Sequence, residues 1–218
     1  MGENESPRRE FIAAFEKLYE RNGMKGVSVA AIAKETGYSR SSFYRSFESI
    51  YDVLSAVEIA ATPYAEARFL LEHADTVTME VFTDTILDAF KKRTRLICML
   101  SKHADENHYF ERMRACLKPV FRSQVERIYD LQESEYDVLA EYITVSKLTL
   151  LRYWAVNYER TLDLGKLTQI TDSMLEGRFW ERVQDAAKAA AEGVPYKRDK
   201  LDYFVERYPW IKNRPLLG

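Results

Sequence analysis

The chain is poor in cysteine and histidine and has no large excess of either charge. Its two cysteines, Cys98 and Cys116, are too few for a fold held by disulfides in 218 residues. Both fall in apolar, helix-like segments, which fits buried free thiols in a reducing cytoplasm. The three histidines, His73, His103 and His108, include no pair at i, i+4. No helix face therefore offers paired imidazoles, and no metal is expected. No apolar run approaches the roughly 18 residues that a membrane-spanning helix needs. The opening "MGENESPRRE" holds no apolar stretch, which predicts no secretory signal. A formal net charge of -2 argues against a protein that coats a polyanion with its whole surface, but leaves room for one basic face. There is no nucleophile and base at usable spacing and no phosphate loop, so the sequence supports neither an enzyme nor a cofactor.

What is present suits one or two globular domains with a real core: 46% hydrophobic and 30% charged residues. Helical periodicity dominates. Phe11, Phe15, Leu18 and Tyr19 share one stripe, preceded by Ser6-Pro7 as cap and first helical position. Ser28 opens a short second helix with Val29, Ile32 and Ala33. Ser39 opens a third with Phe43 and Phe47, and Ser49 a fourth with Ile50, Val53, Leu54 and Val57. Beyond Pro63 the spacing predicts longer helices over 64–74, 78–92, 93–102, 106–131, 135–159 and 166–191, with Pro119 kinking the fourth of these. Asp105 or Asn107 is the expected cap of that helix, and "TLDLGK" (161–166) the turn before the last. No segment alternates with period two, and no repeat period is evident. The expected fold is all-α: a three-helix head over residues 1–52 and a larger helical bundle over 53–218 that forms a dimer. The tail carries Pro195, Pro209 and Pro215, with Leu201, Phe204, Val205 and Tyr208 as one short amphipathic stretch.

The stretch from Ser28 to Phe47 reads as helix, tight turn, helix. Two helices can cross steeply over so short a turn only if one residue takes positive φ, and Gly37 is that residue. Ala33 supplies a small side chain at the crossing, and Phe43 returns an apolar group to the core. The outward positions are then Arg40, Ser41, Ser42, Tyr44 and Arg45, the hydroxyls and cations that base edges and phosphates accept from. From Lys25 to Phe47 the charges are Lys25, Lys34, Arg40 and Arg45 against Glu35. A near-neutral chain with one basic face fits a nucleic-acid binder that carries a separate effector domain.

The segment "GVSVAAIAKETGYSRSSFYRSFESIYDVL" resembles the DNA-binding motif of TetR-type transcriptional regulators. Ile32-Ala33, Gly37, Ser39, Phe43-Tyr44, Phe47 and Ser49 stand in the family's order and spacing. The resemblance implies a dimeric, ligand-responsive repressor on a pseudo-palindromic double-stranded DNA operator. It implies that Ser28 meets phosphate and that Ser39, Arg40, Ser42, Tyr44 and Arg45 line the recognition helix; Tyr51 or Lys25 is the candidate for the backbone contact that Ile50 does not supply. Two positions depart from the usual pattern: Ser46 stands where a His is frequent, and Ile50 where a phosphate-binding Lys is common. The alternative is a helical adaptor whose helix-turn-helix binds protein.

The body is rich in Phe69, Phe82, Phe90, Met99, Tyr109, Phe110, Met113, Phe121 and Trp154. At helical spacing these are mostly core, and together they could leave a cavity for a small apolar effector, with Arg95, His103 and Trp154 as its candidate contacts. Helices 135–159 and 166–191 resemble the family's dimer-forming pair and are the expected homodimer interface. Gly177 would permit close crossing there.

Overall fold

The computed structural model describes residues 5–168, which belong to one compact unit. Among them all regular structure is helical. The order is α1 (Glu5–Asn22), a 3-10 turn (Gly23–Gly26), α2 (Val29–Thr36), α3 (Arg40–Tyr44), α4 (Ile50–Ala61), α5 (Tyr64–Glu72), α6 (Met79–Lys102), a second 3-10 turn (Ala104–Glu106), α7 (Tyr109–Ile128) and α8 (Glu133–Asn157). A further helix begins over 164–168. None of the described helices is long and apolar enough to cross a membrane. The expected helix 166–191, beyond residue 168, and the proline-marked tail lie outside the described residues.

The head is built on aromatic stripes. Phe11, Phe15 and Tyr19 recur every four residues on α1 and are fully buried. Pro7 lies within α1, whose first residue is Glu5. Ser49 and Asp52 form a capping box at the start of α4, the Ser49 N–H donating to Asp52 Oδ2 at 2.8 Å. α4 carries the chain past residue 52 without interruption. Val53, Leu54 and Val57 join the same core as Phe11 and Phe43.

Four expectations for the body need correction. The spans 78–92 and 93–102 are one helix, α6. Arg93 sits mid-helix but does not break the packing, because its guanidinium makes two 2.9 Å bonds to the Glu66 carboxylate of α5. A charge paired in this bidentate way can be accommodated at a packed face. α7 starts at Tyr109 rather than 106, and its N-cap residue, His108, makes no side-chain cap bond. Asn107 serves both helices: its Oδ1 accepts the Tyr109 N–H at 3.1 Å at the start of α7, and its amide donates to the carbonyls of Leu100 (3.0 Å) and His103 (2.7 Å) at the end of α6. The turn at 161–166 is shorter than expected, since helix resumes at 164 with Asp163 Oδ1 accepting from the Lys166 N–H at 3.1 Å. Phe69 is 42% exposed, because α5 turns Ala67 and Leu70 to the core. Pro119 lies inside α7. It faces solvent, as does Ala115, so water can take the carbonyl that proline leaves without a partner.

The rest of the aromatic and methionine stock is core or packs on it. Cys98 and Cys116 are free and buried. Burial pushes the Cys98 thiol up to about 12, with the Glu159 carboxylate adding to the effect, and pushes Cys116 up to about 11.

Candidate nucleic-acid interface

The short helix α3 is positioned from both ends. At its start, Gly37 takes φ +77 and donates its N–H to the Ala33 carbonyl at 2.9 Å, which ends α2 in a left-handed cap. Ser39 then opens α3, its side chain accepting the Ser42 N–H at 3.1 Å. Phe43 is fully buried, edge-on to Phe11 with ring centroids 5.4 Å apart, and beside Phe47 at 5.8 Å. Tyr38 adds a second edge contact to Phe11 at 5.4 Å, and its hydroxyl donates to Glu10 Oε1 at 3.2 Å. With Phe43 turned inward, the helical repeat turns its neighbours outward. Tyr44 is 58% exposed, and Ser39, Arg40, Ser41 and Arg45 are exposed with it.

The structure brings three candidate residues into one hydrogen-bonded set. Arg45 Nη2 donates to Ser42 Oγ at 3.0 Å, and Ser42 Oγ lies 3.0 Å from Ser39 Oγ. Arg40 stands on the same helix with its side chain in solvent. Lys25 and Ser28 are exposed at the entry to α2, where Ser28 Oγ caps the helix by accepting the Ala31 N–H at 3.1 Å. Ile50 is half-buried and packs on the core.

The local charge is more positive than the sequence count suggests. Glu35 pairs with Lys17 of α1. The Lys17 ammonium, by hydrogen bond and charge, holds that carboxyl below its usual range. The only acid between Lys25 and Phe47 is thus answered from a neighbouring helix. Arg8 and Arg9 lie within α1 and not in a frayed arm. The Arg8 guanidinium sits over the Phe47 ring, 4.3 Å from its centroid, a cation–π contact between residues 39 apart that no local spacing signals.

Arg95, His103 and Trp154 are not joined by any hydrogen bond, ion pair or ring contact. Arg95 pairs with Glu16 and, at 3.5 Å, with Glu20, so it ties α6 to α1. His103 lies against Tyr19, ring centroids 4.9 Å apart. Trp154 is buried and donates its indole N–H to the Leu162 carbonyl at 2.7 Å. Two of the three therefore sit where the head meets the body.

Further joins there were not visible as motifs. Glu106 Oε2 accepts the Met24 N–H at 2.7 Å, reaching into the turn between α1 and α2. The Tyr19 hydroxyl accepts from Asn107 at 3.1 Å. Glu58 of α4, buried, accepts from the His108 N–H at 2.8 Å and from Arg112 Nε at 2.7 Å. Arg112 Nη2 also donates to Ser55 Oγ at 2.9 Å. A buried carboxylate with both oxygens answered fixes the angle of α4 on α7.

Comparison with known proteins agrees with this geometry. Residues 11–57 match the family described as bacterial regulatory proteins, tetR family. Among solved structures, the chain is similar to a TetR transcriptional regulator from Streptococcus agalactiae, at 20% identity and a TM-score of 0.58, covering 78% of this chain and 94% of that one. It is also similar to a transcriptional regulator of the TetR/AcrR family from Aquifex aeolicus, at 21% identity and a TM-score of 0.54, covering 78% of this chain and 98% of that one. At such identities the likeness is one of fold. No curated protein matches the sequence.

Two glycine substitutions separate the turn from its surroundings. A Cβ at Gly37 meets nothing within 4 Å, so Gly37→Ala carries only the left-handed backbone penalty, about 1 kcal/mol. At Gly23, φ +62, a Cβ would also collide with the Glu106 carboxylate. Urea unfolding of the full chain should show Gly23→Ala losing more stability than Gly37→Ala. Equal losses would contradict the close seating of Glu106 on that turn.

Proposed function

We propose, from the match of residues 11–57 to the tetR family of bacterial regulatory proteins, that the chain is a cytoplasmic, dimeric, ligand-responsive repressor that reads a pseudo-palindromic operator through α3. The reading divides the chain into a DNA-binding head, residues 1–52, and a body, residues 53–218, that pairs with a second copy and takes the effector. The observation that carries it is the outward face of α3. Arg40, Tyr44 and Arg45 are exposed together on a helix whose opposite side is anchored in the core. Those side chains suit a major groove, where Arg meets guanine edges and Tyr and Ser meet phosphates. Ser28 and Lys25 stand ready for flanking backbone contacts.

A single head of this size has few contacts, and a two-fold dimer doubles them. The shape of α8 supports that pairing. Ala140, Thr144, Leu148, Leu151, Trp154 and Ala155 are buried against the body. On the other side Val138, Tyr142, Val145, Tyr153 and Val156 are exposed, Val138 by 69%. At about 100° per residue these five fall within a stripe about 80° wide. An apolar stripe on the outer side of a helix is what a partner helix covers. The second helix of the proposed interface, 166–191, lies beyond the described residues after 168.

An apolar effector held between body helices would shift the populations of head orientations. The Glu58–Arg112 and Glu106–Met24 joins offer the route by which a body change reaches α3.

Two experiments test the reading. DNA is first selected from a random pool with the parent protein. Arg40→Ala and Arg45→Ala should then each weaken binding about tenfold or more, the worth of a good base contact, with helicity and assembly unchanged. Parent-like binding by both variants removes α3 from the interface. In sedimentation, the parent should run as a dimer and Val145→Asp as a folded monomer. A dimer that survives Val145→Asp moves the interface away from α8.

A further inference from the structure

Arg40, the first residue of α3, and Arg45, its C-cap, differ in how they are held. Arg40 projects without an ion pair or side-chain hydrogen bond among the described residues. Arg45 donates Nη2 to Ser42 Oγ at 3.0 Å. Ser42 in turn is fixed by Ser39: the two hydroxyl oxygens are 3.0 Å apart, and Ser39 Oγ also accepts the Ser42 backbone N–H at 3.1 Å. Ser39 caps the helix, so the chain of bonds runs from the cap to the guanidinium. Ser42 is half-buried, while Ser39 and Arg45 are exposed on either side of it.

From this we infer that Ser42 is a positioning residue for Arg45, and that it acts on DNA through Arg45 and not by its own contact. The inference rests on the reading of α3 as the recognition helix. An arginine side chain loses several rotatable bonds of freedom when it docks on a base edge. A partner that holds it beforehand removes part of that cost. A guanidinium held by one nitrogen keeps its other N–H groups free for an acceptor. Arg45 is thereby the more selective of the two arginines, since a fixed fork fits one base-edge geometry well and others poorly. Arg40 adapts to whatever acceptor lies near it.

The sequence pattern alone does not give this division. It marks Ser39 as the cap but presents Arg40, Ser42 and Arg45 as equivalent outward polar positions. The geometry makes Ser42 the support, Arg45 the supported group and Arg40 the unsupported one.

A double-mutant cycle on the full-length protein tests it, using DNA selected by the parent. Ser42→Ala keeps the backbone N–H that Ser39 caps, so α3 should persist, checked by helicity and sedimentation. In the parent background Ser42→Ala should weaken binding about three- to tenfold. In the Arg45→Ala background the same change should have almost no effect, and in the Arg40→Ala background it should keep its full effect. Ser42→Thr retains the hydroxyl and should bind like the parent. Pool selection with Ser42→Ala should relax the same base pairs that Arg45→Ala relaxes. Equal losses from Ser42→Ala with and without Arg45 would overturn the inference and make Ser42 a DNA contact in its own right. No loss in either background would overturn it too, since the bond would then carry nothing. A parent that selects no DNA fails at an earlier step and overturns the regulator reading together with this one.

Discussion

One buried ring decides what the head can do. α3 is five residues long, far below the length at which a helix holds itself together in water. It exists because Phe43 is driven into the core against Phe11 and Phe47, which contributes about 2–3 kcal/mol of apolar burial. The same contact fixes the rotation of the helix. With Phe43 inward, Tyr44 and Arg45 must leave the surface, and Gly37 lets α2 approach at the angle that makes this possible. Orientation, stability and the outward polar face thus have a common source.

The electrostatics follow from the packing. The stretch from Lys25 to Phe47 is basic because its four cations stand against one acid, Glu35, which pairs with Lys17 of α1. The body is joined to the head by a small number of directional bonds, Arg95 to Glu16 and Glu106 to the Met24 amide, and α4, the helix that leaves the head, is tied to α7 through Glu58 with Arg112 and the His108 amide. Such joins differ from the apolar core that runs beneath them. An apolar interface tolerates sliding, whereas a carboxylate with both oxygens satisfied tolerates little change of angle before it loses a partner.

Much of the head was legible because its signals are local. Ser28, Ser39 and Ser49 before apolar periods mark helix starts, Gly37 marks the turn, and the spacing of Phe43 and Phe47 shows which side is buried. The all-helical fold was legible for the same reason. What the sequence hid was long-range pairing. Arg93, in the middle of α6, is paired with Glu66 of another helix. Arg8 over Phe47 joins residues that no window contains. Arg95, His103 and Trp154 looked like a ligand set because each is polar or aromatic among apolar neighbours. In the structure each has its own partner, two of them where the head meets the body. Asn107, expected at the start of α7, does accept the first N–H of that helix, but nothing in the sequence showed that its amide also reaches back to the α6 carbonyls.

The most direct test of the central claim, that the α3 face meets a DNA duplex, is the salt dependence of binding to pool-selected DNA. Each phosphate neutralised should lower log K by about 0.9 per tenfold rise in salt. Two heads that each place Arg and Lys side chains on phosphates should therefore give a slope several times steeper than a single contact. A binding constant that stays level as salt rises would contradict the account, and would point to a helix-turn-helix that docks on protein.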